Sequence, residues 1–121
     1  MSNAKASAAP PKQQALYDEL VSRFAEVERK GATVPYTSIN GNMSSYLYAS
    51  GALALRLPPG DREQFLEKYQ TKLFEAYGIV QKEYVTVPDS LLTNTDELQP
   101  YFAISYEYVK SLKPKPSKKR A

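Results

Sequence analysis

Residues 33–57 have the sequence TVPYTSINGNMSSYLYASGALALRL, in which two turn signals separate three short segments with strand character. Asn40-Gly41 favours a two-residue hairpin turn, because both central positions of a type I′ turn need positive φ. Ser50-Gly51 marks a second turn, and three leucines then alternate with small or polar residues. The stretch therefore predicts an antiparallel meander of three strands, over Thr33–Ile39, Met43–Ala49 and Ala52–Leu57.

Helical patterns lie on both sides of this meander. Apolar side chains at helical spacing predict a first helix over residues 11–30, with Gly31 ending it. After the break at 58–60, Asp61 is the expected N-cap of a second helix over Arg62–Tyr69. The last helix is expected to begin near Thr95 or Asp96, with Pro100 in its first turn, because a proline further in would remove a backbone hydrogen bond.

A second β region follows the middle helix, with strands expected over Lys72–Tyr77 and Ile79–Val87 around Gly78. Pro88 ends it and opens a short helical turn through Leu91-Leu92. The predicted order is α-β-β-β-α-β-β-α, and antiparallel hairpins with helices on one face form a two-layer α+β sandwich. Seven side chains from these elements are expected to share one core: Leu20, Phe24, Leu55, Phe65, Val85, Phe102 and Val109.

The charge divides the chain into three regions. The net charge is +3, yet residues 12–112 carry ten basic and thirteen acidic side chains, whereas residues 113–121 carry five basic ones and no acidic one. We interpret 1–11 as a disordered tail rich in Ala, Ser and Pro, 12–112 as the folded domain, and 113–121 as a basic disordered tail.

Spaced motifs in this domain resemble the TfoX N-terminal domain family, which is named for a bacterial regulator of natural competence. The resemblance covers residues 40–116 and is carried by these motifs: Asn40 to Met43, Leu55-Arg56-Leu57-Pro58, Asp61-Arg62 with Phe65, Lys82-Glu83-Tyr84-Val85 with Val87-Pro88, and Tyr108-Val109 with Ser111-Leu112 and Lys115. It implies the element order above, a fold similar to type III secretion chaperones, and a cytoplasmic protein with a regulatory, competence-regulator-like role.

The composition removes most catalytic chemistry. The chain has no His and no Cys, so it lacks the usual general base at neutral pH, any thiolate and the common zinc ligands. None of its five Gly belongs to a GxxxxGK or GxGxxG phosphate loop. We therefore expect a protein that is not an enzyme, with no catalytic residue, no cofactor and no metal site.

Two clusters leave alternatives open. Lys82-Glu83-Tyr84 is either an acid or base facing a cleft, or a strand with a solvated lysine and a packed tyrosine. Arg56 with Asp61-Arg62 is either an anion site, or else a salt bridge or helix cap.

Tyrosine is unusually frequent, with ten in 121 residues. Tyr46 and Tyr48 share one strand face, opposite Leu47, and Tyr is favoured at interfaces because it buries area while keeping a polar tip. These two side chains form our candidate interaction surface, for an unknown protein partner or for self-association. The alternative is that the tyrosines cover a half-solvated sheet without binding anything.

The second candidate function is weak, sequence-nonspecific nucleic-acid association through Lys113, Lys115, Lys118, Lys119 and Arg120. No apolar run approaches the roughly 20 residues of a membrane helix, so no membrane is expected as a partner. The absence of Cys is compatible with the cytoplasm.

Because the positive charge lies in the tail, we expect the chain to bind a labelled DNA duplex weakly, with an affinity that falls steeply as salt rises. Removing residues 113–121 should abolish this binding in a fluorescence anisotropy titration. Tight, salt-resistant binding by the truncated chain would contradict the interpretation.

Overall fold

The computed structural model describes residues 9–31, 34–76 and 78–114. Its helices are α1 (Pro11–Ser22), α2 (Pro59–Lys68), α3 (Asp89–Leu92) and α4 (Thr95–Ser111). Its strands are β1 (Arg29–Lys30), β2 (Tyr36–Ile39), β3 (Asn42–Leu47), β4 (Leu53–Arg56), β5 (Leu73–Ala76) and β6 (Ile79–Val87).

The strands form one sheet in the order β1-β2-β3-β4-β6-β5, in which all neighbours are antiparallel. The register places Leu47 opposite Leu53 and Leu55 opposite Val85. These side chains join residues of all four helices in the main core. The helices therefore cover one face of the sheet, and the predicted two-layer α+β architecture is confirmed.

The two glycine turns are as predicted. Asn40 and Gly41 both have positive φ, 55° and 84°, as the hairpin turn between β2 and β3 requires. Gly51 has a φ of 96°, and a Cβ there would lie 3.2 Å from the Gln13 side chain. The second turn therefore needs glycine for its conformation and also for its close approach to α1.

The predicted core is largely confirmed. Five of the seven side chains lie in the main core cluster, and Phe24 is partly buried and packs against it, whereas Val109 is buried but is not part of that cluster. The rings of Phe24 and Phe102 lie 4.9 Å apart. β4 alternates as expected: Leu53 and Leu55 lie in the main core, whereas Ala54 faces the opposite side of the sheet.

The first helix is shorter than predicted and ends at Ser22. Turns with hydrogen bonds from Phe24 N to Val21 O and from Val27 N to Phe24 O follow it. Val27 is buried in the core although it lies beyond the helix, so its spacing wrongly predicted a longer helix. Residues 29–30 instead pair with β2 as β1, which satisfies backbone groups that an uncovered edge would leave open. The predicted order lacked β1, and it lacked α3 as a separate helix.

The starts of two helices differ from the predictions. α2 begins at Pro59, and Asp61 lies in its first turn rather than at the N-cap, because proline at the first helical position has the required φ. α4 begins at Thr95 as expected, where the Asn94 side chain accepts a hydrogen bond from Glu97 N. Pro100 is therefore in the second turn, deeper than expected, and offers no N–H to the helix.

The packed part of the chain extends before the predicted boundary at residue 12. Ala9 is buried in the main core, and its carbonyl accepts a hydrogen bond of 2.6 Å from Gln14 Nε2. The remainder of the predicted N-terminal tail, residues 1–8, lies outside the described residues. So do residues 115–121 of the C-terminal tail.

The core predicts a sharp contrast between two apolar truncations. Leu55→Ala should lower the free energy of unfolding by about 2–5 kcal/mol, because Leu55 is fully buried at the centre of the sheet. Ile79→Ala is the control and should change it by less than about 0.5 kcal/mol, since Ile79 is 63% exposed. Urea unfolding measures both, and equal costs would show that the sheet register is wrong.

Candidate functional site

The sheet face that points away from the helices carries a second apolar cluster, which we call the open face. Four of its side chains are buried and six are partly buried: Tyr46, Ala54, Phe74 and Ala76, then Val34, Tyr36, Met43, Tyr48, Ala52 and Tyr84. All ten come from strands or from residues next to them, and no described helix contributes. The prediction that Tyr46 and Tyr48 lie opposite Leu47 on the second sheet face is therefore confirmed.

The small Ala54 of β4 allows aromatic rings to meet across the open face. Tyr46 and Tyr48 each make an edge contact with Phe74, at centroid distances of 5.4 and 5.6 Å. Phe74 is on β5, and two strands lie between β5 and β3. Strands are spaced about 4.8 Å apart, so these rings reach each other only by leaning over Ala54. As a result Tyr46 is only 8% exposed.

The β5–β6 hairpin is irregular where it leaves the rest of the sheet. Leu73 pairs with Val85, but the next residue, Phe74, pairs with Gln81, so residues 82–84 of β6 form a bulge. β4 ends at Arg56, and beyond it only β5 accompanies β6. We call the described residues of 74–81 the arm. Bulges bend strands and increase their twist, so the arm can run in a different direction from the rest of the sheet.

The arm forms one wall of a groove on the open face. This groove has a volume of about 440 Å³ and is lined by Val34, Tyr36, Met43, Tyr46, Ala76 and Gln81. Ala76 on β5 and Tyr36 on β2 line the same space although three strands lie between them. The arm therefore bends over the open face. The lining has two phenols, one amide and no charged group, so it suits apolar contact better than proton transfer.

The cluster Lys82-Glu83-Tyr84 does not line the groove. Glu83 and Tyr84 instead form hydrogen bonds with residues beside it. Arg56 Nε donates to Glu83 Oε1 at 2.6 Å, and Arg56 Nη1 donates to the Met43 carbonyl at 3.1 Å. The Tyr84 hydroxyl donates to the same carbonyl at 3.1 Å. Lys82 is exposed, and burial raises the pKa of Tyr84. The arrangement matches a solvated lysine beside a packed tyrosine.

The second predicted cluster is divided between two partners. Arg56 forms the ion pair with Glu83, whereas Arg62 donates to the Leu57 carbonyl at 3.0 and 3.2 Å. Arg56 thus forms a salt bridge, but with Glu83 of the other cluster rather than with Asp61. The expected helix cap by Asp61 is wrong, because the N-cap of α2 is Pro58 and has no side-chain hydrogen bond.

Sequence reasoning missed a buried network of hydroxyl groups beneath the helices. Tyr17 Oη and Ser45 Oγ are 2.6 Å apart, and Thr37 Oγ1 lies 2.6 Å from both Ser45 Oγ and Ser44 Oγ. Ser105 Oγ donates to the Ser44 carbonyl at 3.2 Å. All five residues are buried. The available signal was Ser44-Ser45 in an otherwise apolar strand.

A β-bulge explains why both serines of β3 reach the same threonine. Thr37 pairs with Ser45, and the next residue of β2, Ser38, pairs with Met43, so Ser44 is the extra residue. Burial raises the pKa of Tyr17 to about 12. The network thus satisfies hydroxyls that would otherwise be costly inside the core and specifies the register of β2 against β3.

The structure describes only the first of the five predicted tail contacts. Lys113 is exposed, and its carbonyl accepts a hydrogen bond of 3.0 Å from Asn42 Nδ2. The chain therefore leaves the domain beside the β2–β3 turn. Lys115, Lys118, Lys119 and Arg120 lie outside the described residues.

No family model, no curated protein and no solved structure matched this chain in comparison. The resemblance to the TfoX N-terminal domain family stays a prediction that rests on the quoted motifs. Within the described residues, no helix is long and apolar enough to cross a membrane. Within the same ranges, no three His, Cys, Asp or Glu side chains come together as a metal site would require.

The buried phenol of Tyr17 predicts a loss of stability in alkali. Its pKa is about 12 in the folded chain, against an ordinary value of 10.0. The contribution of the neutral Tyr17 phenol to the free energy of unfolding is therefore fully present below pH 10. This contribution of about 3 kcal/mol is lost as the pH rises towards 12. Tyr17→Phe should remove this part of the pH dependence between pH 9.5 and 11.5 in urea unfolding. Parallel curves for the two proteins would contradict the prediction.

Proposed function

We propose that this chain is a non-enzymatic protein-interaction module, resembling the TfoX N-terminal domain, with a regulatory role in the cytoplasm. The open face is its contact surface. The observation that supports this most is the uncharged groove between the arm and β2–β3, on a sheet face that no described helix covers.

The residues of the open face suit binding to another protein. Aromatic side chains and Met are enriched at protein interfaces, where they bury large apolar areas. Tyr36, Met43 and Tyr48 are all partly exposed, so a partner can still gain contact area from them. The ring contacts of Phe74 and the hydrogen bonds of Tyr84 pre-order the surface, which reduces the entropy lost on binding.

The candidate tail surface has a different chemistry. Its cations can attract nucleic acid only through sequence-blind electrostatics, whereas the groove offers shape and apolar area. The two functions are therefore separable by removing residues 113–121, and the module should retain its protein contacts without them.

Site-specific photo-crosslinking in the native cell tests the proposal. The photoreactive residue p-benzoylphenylalanine in place of Tyr48 should give discrete protein adducts, because Tyr48 lies on the open face. The same residue in place of Gln64, which is exposed on α2 of the helical layer, is the matched control. We expect at least about tenfold more adduct at position 48, in line with a specific contact. Equal or absent adducts at both positions would refute the open face as the contact surface.

A further inference from the structure

We propose that the occupant of the groove is a second copy of this chain, with the arm tip of each copy lying in the groove of the other. The inference rests on the proposed function, because it uses the open face as the contact surface. It goes further by naming the partner and the residues that enter the groove.

The arm ends in an exposed apolar tip. Ile79 is 63% exposed and Val80 48%, and they are the exposed large hydrophobic residues of the described ranges. Ile79 pairs with Ala76, so it projects from the groove side of the arm, while Val80 pairs with Glu75 and lies on the reverse side. Ile79 is therefore an exposed aliphatic side chain on the same side of the arm as the groove, and covering it with a second chain would remove apolar area from water.

The exposed Ile79 side chain and part of the groove lining belong to the same short segment. Ala76 and Gln81 line the groove, and Ile79 pairs with Ala76 at the tip of the same arm. A two-fold interface requires a single patch that is complementary to itself, with each copy supplying both parts. The arm meets this requirement within six residues.

The charges favour an identical partner. Residues 76–81 and the other groove residues carry no charged side chain, so two copies with the same net charge can approach here without repulsion. Glu75 and Lys82 flank the uncharged segment with opposite signs.

The size of the contact sets its strength. Each copy offers the exposed Ile79 and one groove to the contact, whereas a standard stable interface involves roughly 20–30 residues on each side. We therefore expect weak association with a dissociation constant in the micromolar range, which leaves monomer and dimer both populated at accessible concentrations.

Sedimentation equilibrium of the full chain, over concentrations that bracket the micromolar range, measures this association. Ile79→Glu should weaken it at least about tenfold, because the new carboxylate would have to enter an uncharged groove. Ala15→Glu is the control, since it makes the same change of charge at an exposed position of α1 in the helical layer and should leave association unchanged. Circular dichroism confirms that both variants fold.

A second variant tests which side of the arm enters the groove. Val80→Glu places the same carboxylate on the reverse side of the arm, so it should weaken association less than Ile79→Glu does. A wild-type chain that is monomeric throughout, or an Ile79→Glu variant that associates like the wild type, would overturn the inference. Loss of association on deleting 115–121 would also overturn it, by making the tail the occupant.

Cross-linking at position 48 separates the two proposals. Adducts between two copies of the chain support both. Adducts with a different protein, from a chain that sediments as a monomer, support the proposed function and refute self-association. Absence of every adduct at position 48 refutes the proposed function, and the Ile79→Glu comparison then decides self-association by itself.

Discussion

The alternation of Leu53, Ala54 and Leu55 along β4 is the constraint on which the structure depends. Leu53 and Leu55 point into the helical layer and are fully buried, while Ala54 is fully buried on the opposite side. The two leucines let a single helical layer close the main core. The small side chain of Ala54 allows rings from β3 and β5 to lean over the strand and meet. A large side chain at position 54 would separate Tyr46 from Phe74 and open the second cluster.

The two faces of the sheet are connected through β2 and β3. On the helical side, the hydroxyls around Thr37 specify how β2 pairs with β3, including the bulge at Ser44. On the other side, the same pairing positions Tyr36 opposite Tyr46, and both line the groove. The Met43 carbonyl then accepts hydrogen bonds from Arg56 on β4 and from Tyr84 on β6. The shape of the groove therefore follows from buried polar contacts as well as from apolar packing.

The charged side chains lie outside the groove lining, on the rest of the domain and in the tail. The described ion pairs lie around the groove or on the helical layer, as with Arg56–Glu83 and Arg23–Asp96. The groove itself has no charged lining, and the positive charge of the chain is concentrated after residue 112. A surface without charge cannot steer a partner from a distance, so its binding depends on shape and on apolar area. That is the physical basis for preferring a protein partner, and in particular a second copy, over nucleic acid.

The sequence by itself determined the α+β class, the Asn40-Gly41 turn, the alternation of β4, most of the core and the second sheet face of Tyr46 and Tyr48, because each depends on local periodicity or on the φ of a turn. Only the tertiary structure decided the end of α1 at Ser22, the pairing of residues 29–30, the buried hydroxyl network and the groove. The hydroxyl network and the groove join residues that are distant in the sequence, such as Tyr17 with Ser45 and Tyr36 with Ala76. The bulges at Ser44 and at 82–84, which shape these two features, shift the register without any change in hydrophobic pattern, so periodicity does not detect them.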